Sequence, residues 1–306
     1  MNFSIVFDQV LVLMIILIVG VVAGKAGIIA DGVSKKLSEL LLYVTAPMLV
    51  LGAFFFEYSA EKMRNGLLVF LMASAFFLIT IVLSLFIYRK SNARIKPIMR
   101  FTAVFSNCGF MGLPMMKVLY GMDGVFLGSF YIVAFYLFIW TFGITMFSEI
   151  KGREEIKSTM KKALLNPAMI AVYVGVIIFV FRIPVPGVVK EAAGYIGDMT
   201  MPLSMLIIGS LVSSVKFGIL LNDIKAYYAS AVRLVLMPLI AYCIFRFAGM
   251  PSLPVAIVVT ALAMPIAANT TIFAELFDKD ALFASKAVIL STVFSIITIP
   301  LIVSIL

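Results

Sequence analysis

The sequence predicts an all-α polytopic membrane protein of about ten transmembrane helices, arranged as two inverted five-helix repeats. Three observations predict it: an extreme apolar composition, a recurrence of membrane-length apolar runs, and an internal repeat at an offset of 155 residues. Of 306 residues, 63% are apolar and 13% charged, whereas an ordinary soluble domain is about half apolar and about a quarter charged. No water-soluble core needs that ratio, so the lipid bilayer is the expected partner. The net charge of +9 would suggest nucleic acid in a soluble protein, but these cations fall in the connections, where they orient helices. No nucleic-acid partner is expected. Cys108 and Cys243 lie in separate apolar runs with neither disulfide nor metal spacing, and read as free thiols.

Apolar stretches bounded by charge, Gly or Pro place the spans in order. The first, 6–24, follows a start (MNFSIVFDQV) without the basic region of a signal peptide and reads as a retained helix. Spans 35–56 and 66–88 flank Lys62 and Arg64, and spans 99–120 and 124–148 flank Gly121 and Asp123. The longest polar stretch, Glu149 to Lys162, leads into the second set: 163–181, 190–214, 227–247, 253–276 and 281–305. Odd-numbered connections hold 17 Lys and Arg, even-numbered ones 6, and the two ends none. Because basic connections stay cytoplasmic, both termini are expected outside the cytoplasm of a multi-pass plasma (inner) membrane protein.

Shifting the sequence by 155 residues aligns Gly20 with Gly175, Gly32 with Gly187, Lys35 with Lys190, Thr45 with Thr200, Pro47 with Pro202 and Asp123 with Asp278. Apolar matches are expected by chance in such a chain, but matched Gly, Pro, Lys and Asp are not. The organisation is therefore a first repeat at 1–150, a cytoplasmic linker at 151–162 and a second repeat at 163–306. An odd number of crossings inverts one half relative to the other, the architecture of secondary transporters.

Spans interrupted by Gly or Pro at corresponding positions point to a transporter's binding site, because unwound backbone at mid-membrane is tolerated where it lines a cavity. The fourth span carries Asn107, Cys108, Gly109, Gly112 and Pro114; the ninth carries Pro265, Asn269, Thr270 and Thr271. The prolines remove backbone N–H groups and the glycines weaken the helix, so both spans should break near their middles. Each break starts a second half-helix whose unpaired N–H groups and dipole favour a negative charge such as a carboxylate. Asn107 and Asn269 donate and accept hydrogen bonds, and Thr270 and Thr271 add hydroxyls. The competing structural reading is that these residues satisfy helix ends or pack helices together.

At these residues the sequence resembles the auxin efflux carrier family, which includes plant auxin exporters and bacterial permeases for malate, malonate and similar anions. The resemblance runs end to end through SNCGFMGLPMMKVLYG, LLNPAMIAVYVGV, GDMTMPLSMLIIGSLV, AMPIAANTTIFAELF and ASKAVILSTVFSIITIPL. It implies ten helices in two inverted five-helix repeats with broken, crossing helices 4 and 9, similar to the bile-acid symporter and sodium/proton antiporter fold. It also implies a scaffold half and a transport half, a small organic anion as substrate, and a homodimer. The short linker marks a compact, bacterial-type member, without the long loop of the plant exporters.

Asp198 and Arg233 fall within spans, where ionisable residues are functional candidates. Asp198 is suited to a coupling proton or a cation, and Arg233 to pairing with Asp198 or attracting the anion. Thr45 and Pro47, with Ser204 and Pro202 on the related span, complete this second tier; the plain alternative for the hydroxyls is a bond to their own helix. There is no histidine, so proton coupling needs a carboxylate or the substrate itself. No cofactor is expected, and proton or sodium coupling stays open. An intramembrane enzyme is set aside: Gly194-Tyr195-Ile196-Gly197-Asp198 lacks the Gly-x-Gly-Asp spacing of a membrane aspartyl protease, and no nucleophilic arrangement is evident. A passive anion channel and a transport-derived receptor remain the alternatives to a carrier.

Overall fold

The computed structural model describes residues 3–147, 165, 167–213 and 223–306. The linker 151–162, with Lys151, Arg153, Lys157, Lys161 and Lys162, lies outside the described residues, as does Lys216. Helix α1 is Phe3–Lys25, and α2 runs through Asp31–Leu40, Leu41–Thr45 and Ala46–Gly52. Helices α3 (Ala60–Ile87) and α4 (Lys96–Val104) follow, then α5 at 108–120 and α6 at 122–147, divided by Gly121. Helix α7 is Pro167–Val180, α8 comprises Gly187–Asp198 and Thr200–Ser213, and α9 spans Ile224–Phe247. The chain closes with α10 (Ser252–Ala263), α11 (Asn269–Leu276) and α12 (Ala281–Ser304).

Local chemistry explains where these helices bend. Gly121 has φ 63° and ψ −154°, a conformation open to glycine, and it turns α5 into α6. Three helices widen into a π-type turn two residues before a proline: Leu41–Thr45 before Pro47, Cys108–Gly112 before Pro114, and Val232–Leu236 before Pro238. Proline supplies no N–H to the carbonyl four residues back and crowds it, so the preceding turn expands to re-pair its remaining groups.

Five of the described helical stretches, α5 and α6 taken together as one of them, are long and apolar enough to cross a bilayer, and shorter apolar helices accompany them. Large apolar side chains such as Ile15, Leu71, Phe86, Phe181 and Ile297 cover the exterior, the surface expected of a lipid-facing protein. Inside, α1 lies against the second part of α8. A Cβ on Gly20 would come within 2.5 Å of the Leu206 carbonyl oxygen, and one on Gly209 would collide with the Leu17 carbonyl. Small residues thus permit backbone contact, the packing mode that substitutes for hydrophobic collapse within lipid.

A buried seam joins this pair to the rest of the bundle through Leu13 and Leu17 of α1, Met111 and Met115 of α5, Met205 and Ile208 of α8, Met264, and Ile299 and Val303 of α12. Elsewhere the core is aromatic, with Phe54 just after α2 in tilted contact with Phe126 and Phe130 of α6, and Phe126 with Phe179 of α7. Ion pairs tie helix starts together at the rims. Lys62 at the start of α3 pairs with Asp123 at the start of α6, and Lys286 of α12 meets Asp223 before α9 at 3.5 Å.

The α1–α8 contact gives a test. Gly209→Val should cost about 1–3 kcal/mol by forcing the two backbones apart, read as a lowered thermal midpoint in detergent. Gly194→Ala, where the added methyl meets open space, should leave the midpoint unchanged or raise it.

Candidate functional site

Helix α4 ends at Val104 and α10 at Ala263, and at both points the chain turns extended: Phe105 has φ −109°, ψ 117°, and Met264 φ −65°, ψ 149°. The two extended segments pair as an antiparallel bridge between Ser106 and Ile266. The Asn107 N–H donates to the Pro265 carbonyl at 2.7 Å, and the Ala267 N–H donates to the Phe105 carbonyl at 3.1 Å. The Ile266 N–H donates to the Ser291 hydroxyl of α12 at 3.1 Å. Ser106, Pro265 and Ile266 are buried. Each break therefore accepts one backbone hydrogen bond from the other in a region where no water would.

Beyond the bridge two new helices begin. The Met111 and Gly112 N–H groups both donate to the Asn107 carbonyl, at 3.0 and 3.2 Å, opening the wide first turn of α5. The Cys108, Gly109 and Phe110 amides of that turn have no intrahelical acceptor, as in any first turn. On α11, the Thr270 and Thr271 N–H groups donate to the Ala267 and Ala268 carbonyls at 3.0 and 3.2 Å. Two positive dipole ends thus start from one bridge. Tyr120 of α5 and Thr260 of α10 join their hydroxyls at 3.0 Å, adding a lateral tie between the two interrupted spans.

The opposite poles, the C-termini of α4 and α10, meet Arg233. This residue sits on the wide turn of α9, fully buried. Nη1 donates to the Ala103 and Val104 carbonyls at 2.9 and 3.2 Å, Nη2 to Leu262 at 2.6 Å, and Nε to Met264 at 3.4 Å. One guanidinium caps the last carbonyls of both helices, where a cation is favoured. The expectation that Arg233 pairs with Asp198 is corrected: its partners are backbone carbonyls, because two converging helix ends offer it more acceptors than one carboxylate, and Asp198 pairs with Lys117.

Asp198 lies at the bend of α8, its side chain 62% exposed, and pairs with Lys117 of α5. The pair edges a cavity of about 310 Å³ lined by Leu49, Pro114, Lys117, Val118, Gly197, Asp198 and Met201. This cavity lies between α5 and the two helices α2 and α8. A larger cleft of about 530 Å³ opens between the connection after α2 and that after α7, beside Glu57, Tyr58, Arg182 and Lys190. None of its lining residues belongs to the paired breaks.

The sequence-predicted residues divide accordingly. Asn107, Cys108, Gly109, Gly112 and Pro114 form the start of α5, and Pro265, Asn269, Thr270 and Thr271 the second break and the start of α11. Asn107 is buried, whereas Asn269 and Thr271 are half-buried. The Thr270 hydroxyl donates to the Ala267 carbonyl at 2.6 Å; Thr45 and Ser204 donate to Leu41 and Met201, at 3.5 and 2.8 Å. These hydroxyls bond their own helices, the plainer of the two expectations. Pro47 and Pro202 sit in α2 and α8. Lys117 lies on α5 three residues after Pro114. Its position inside the predicted span 99–120 was the signal for it, because ionisable groups there are candidates. The capping role of Arg233 had no sequence signal.

Over residues 5–303 the chain matches the family described as membrane transport protein. An uncharacterized transporter of Methanothermobacter thermautotrophicus is 25% identical over 301 residues, covering 96% of each chain. Another, from Methanocaldococcus jannaschii, is 22% identical over 309 residues, again covering 96% of each. The similarity is thus end to end, and it coincides with the broken-helix geometry just described. The chain belongs to the membrane transport protein family, as a compact member of the auxin efflux carrier type.

Proposed function

We propose that this protein is a secondary active transporter that moves a small organic anion, a carboxylate, across the plasma membrane by alternating access around the paired breaks. The observation that carries the reading is the asymmetry of the bridge. The two helix C-termini that meet it are neutralised by Arg233, while the N-termini of α5 and α11 carry no acidic residue in their first turns. An anion is therefore the charge this environment favours. Asn107 and Asn269 stand at the two N-termini as hydrogen-bonding groups for the substrate, and Lys117 supplies a point charge at the cavity mouth. Asp198 holds Lys117 until the substrate carboxylate competes for it.

The same reading takes α1 to α6 as five crossings and α7 to α12 as five inverted ones, with α4–α5 and α10–α11 as the interrupted fourth and ninth. It is supported by the rim ion pairs, since alternating connections bring the starts of α3 and α6 to one face and those of α9 and α12 to the other. The methionine-rich seam supports relative motion: thioether side chains repack without fixed rotamers, so one face slides on another at low energetic cost.

A thermal-shift screen of the purified chain against mono- and dicarboxylates across pH should find a stabilising ligand. At about a hundredfold excess over Kd the gain is about 2.7 kcal/mol. In proteoliposomes that ligand should show saturable flux and counterflow; flux without counterflow would indicate a channel, and binding without flux a receptor. The Asn107→Ala/Asn269→Ala double variant should insert normally and lose most uptake, and normal uptake in it would remove the assignment.

Lys117→Gln should weaken substrate affinity, raising the half-saturating concentration about tenfold for one lost charged contact of about 1.4 kcal/mol. Lys117→Arg should retain more of the affinity. An unchanged half-saturation in Lys117→Gln would take this side chain out of the site.

A further inference from the structure

We propose that Arg233 is a resident cation of this transporter: its guanidinium occupies the place between the two converging helix C-termini where a coupling cation would bind, so transport proceeds without sodium at the paired breaks. The inference deepens the anion-carrier reading and rests on the same site. It starts from charge. Each helix C-terminus carries about half a negative charge, and the ends of α4 and α10 converge in a fully buried environment. Together they ask for about one positive charge. In broken-helix transporters such carbonyls and C-terminal ends are where coupling cations are coordinated.

Arg233 fills that position from within the chain. Its three guanidinium nitrogens donate to the carbonyls of Ala103, Val104, Leu262 and Met264 at 2.6–3.4 Å, two carbonyls from each interrupted span. A planar fork of five donors meets acceptors on both sides at once, which a lysine ammonium does less completely. Among the described residues no carboxylate pairs with it. A second cation at this place would stand against a fixed positive charge in a medium of low dielectric constant. The wide turn Val232–Leu236 presents the residue, a local consequence of Pro238, so the device is built into α9.

Arg233 acts through the helix ends and is a positioning residue, so the test reads ion dependence as well as activity. The full chain is compared in sodium, potassium and N-methylglucamine chloride at equal ionic strength. For the unmodified protein, the thermal midpoint and the counterflow of the stabilising carboxylate should differ by less than twofold in flux, and by no resolved shift in midpoint, among the three salts. Arg233→Gln should lower the midpoint and reduce flux at least tenfold, with part of both regained in sodium or in millimolar guanidinium chloride relative to N-methylglucamine. Arg233→Lys should retain a measurable flux that stays indifferent to sodium.

A sodium requirement in the unmodified protein or in Arg233→Lys would overturn the proposal, and both measurements hold even where Arg233→Gln does not fold. An Arg233→Gln variant as stable and active as the original in N-methylglucamine would overturn it too. So would a loss that no small cation relieves, since that marks a clamp without an electrostatic role. The midpoints need no substrate, so failure of every anion to move would remove the transport reading while leaving the stability data to decide this one.

Discussion

A helix interrupted inside a bilayer leaves backbone groups that water cannot reach, and the architecture around the site depends on how they are paired. Here the two interruptions pair with each other. The Ser106–Ile266 bridge, with hydrogen bonds from Asn107 to Pro265 and from Ala267 to Phe105, converts two unsatisfied breaks into a short piece of sheet. Pro265 fits this arrangement because its carbonyl is used and no N–H is asked of it. Neither break would be tolerable alone in lipid, so the two spans are held together by the same groups that separate their halves.

Once the bridge exists, the polarity of the four half-helices is arranged around it. Two C-termini approach on one side and two N-termini leave on the other. Arg233 neutralises the first pair through four carbonyls. The second pair, the starts of α5 and α11, has no such counter-charge in its first turns. The local field thus has a sign, set by four helix ends and one guanidinium together. A buried arginine in this setting is an electrostatic complement to backbone dipoles, which is why it tolerates full burial with no carboxylate partner among the described residues.

Around this rigid centre the packing differs in kind. The aromatic cluster of Phe54, Phe126, Phe130 and Phe179 and the glycine contacts of α1 with α8 demand close complementarity. The seam lined by Met111, Met115, Met205 and Met264 is adaptable. The two kinds of packing meet at α1 and α8, which share the glycine contacts with each other and the methionine seam with the rest of the bundle.

The sequence by itself determined the membrane-length segments, because apolar length is a local property, and it pointed to two interruptions near Asn107–Pro114 and Pro265–Thr271, because Gly and Pro act on their own turns. It also placed Asn107, Pro114, Pro265 and Asn269 at those interruptions. Only the tertiary structure decided what the breaks do: that Ser106 meets Ile266, that Arg233 turns to carbonyls of two other segments in place of Asp198, and that Asp198 is partnered by Lys117. The acceptors of Arg233 belong to the backbone, which every residue carries alike. Their identity is set by which helix ends converge, and convergence over 130 residues of chain leaves no mark in local composition.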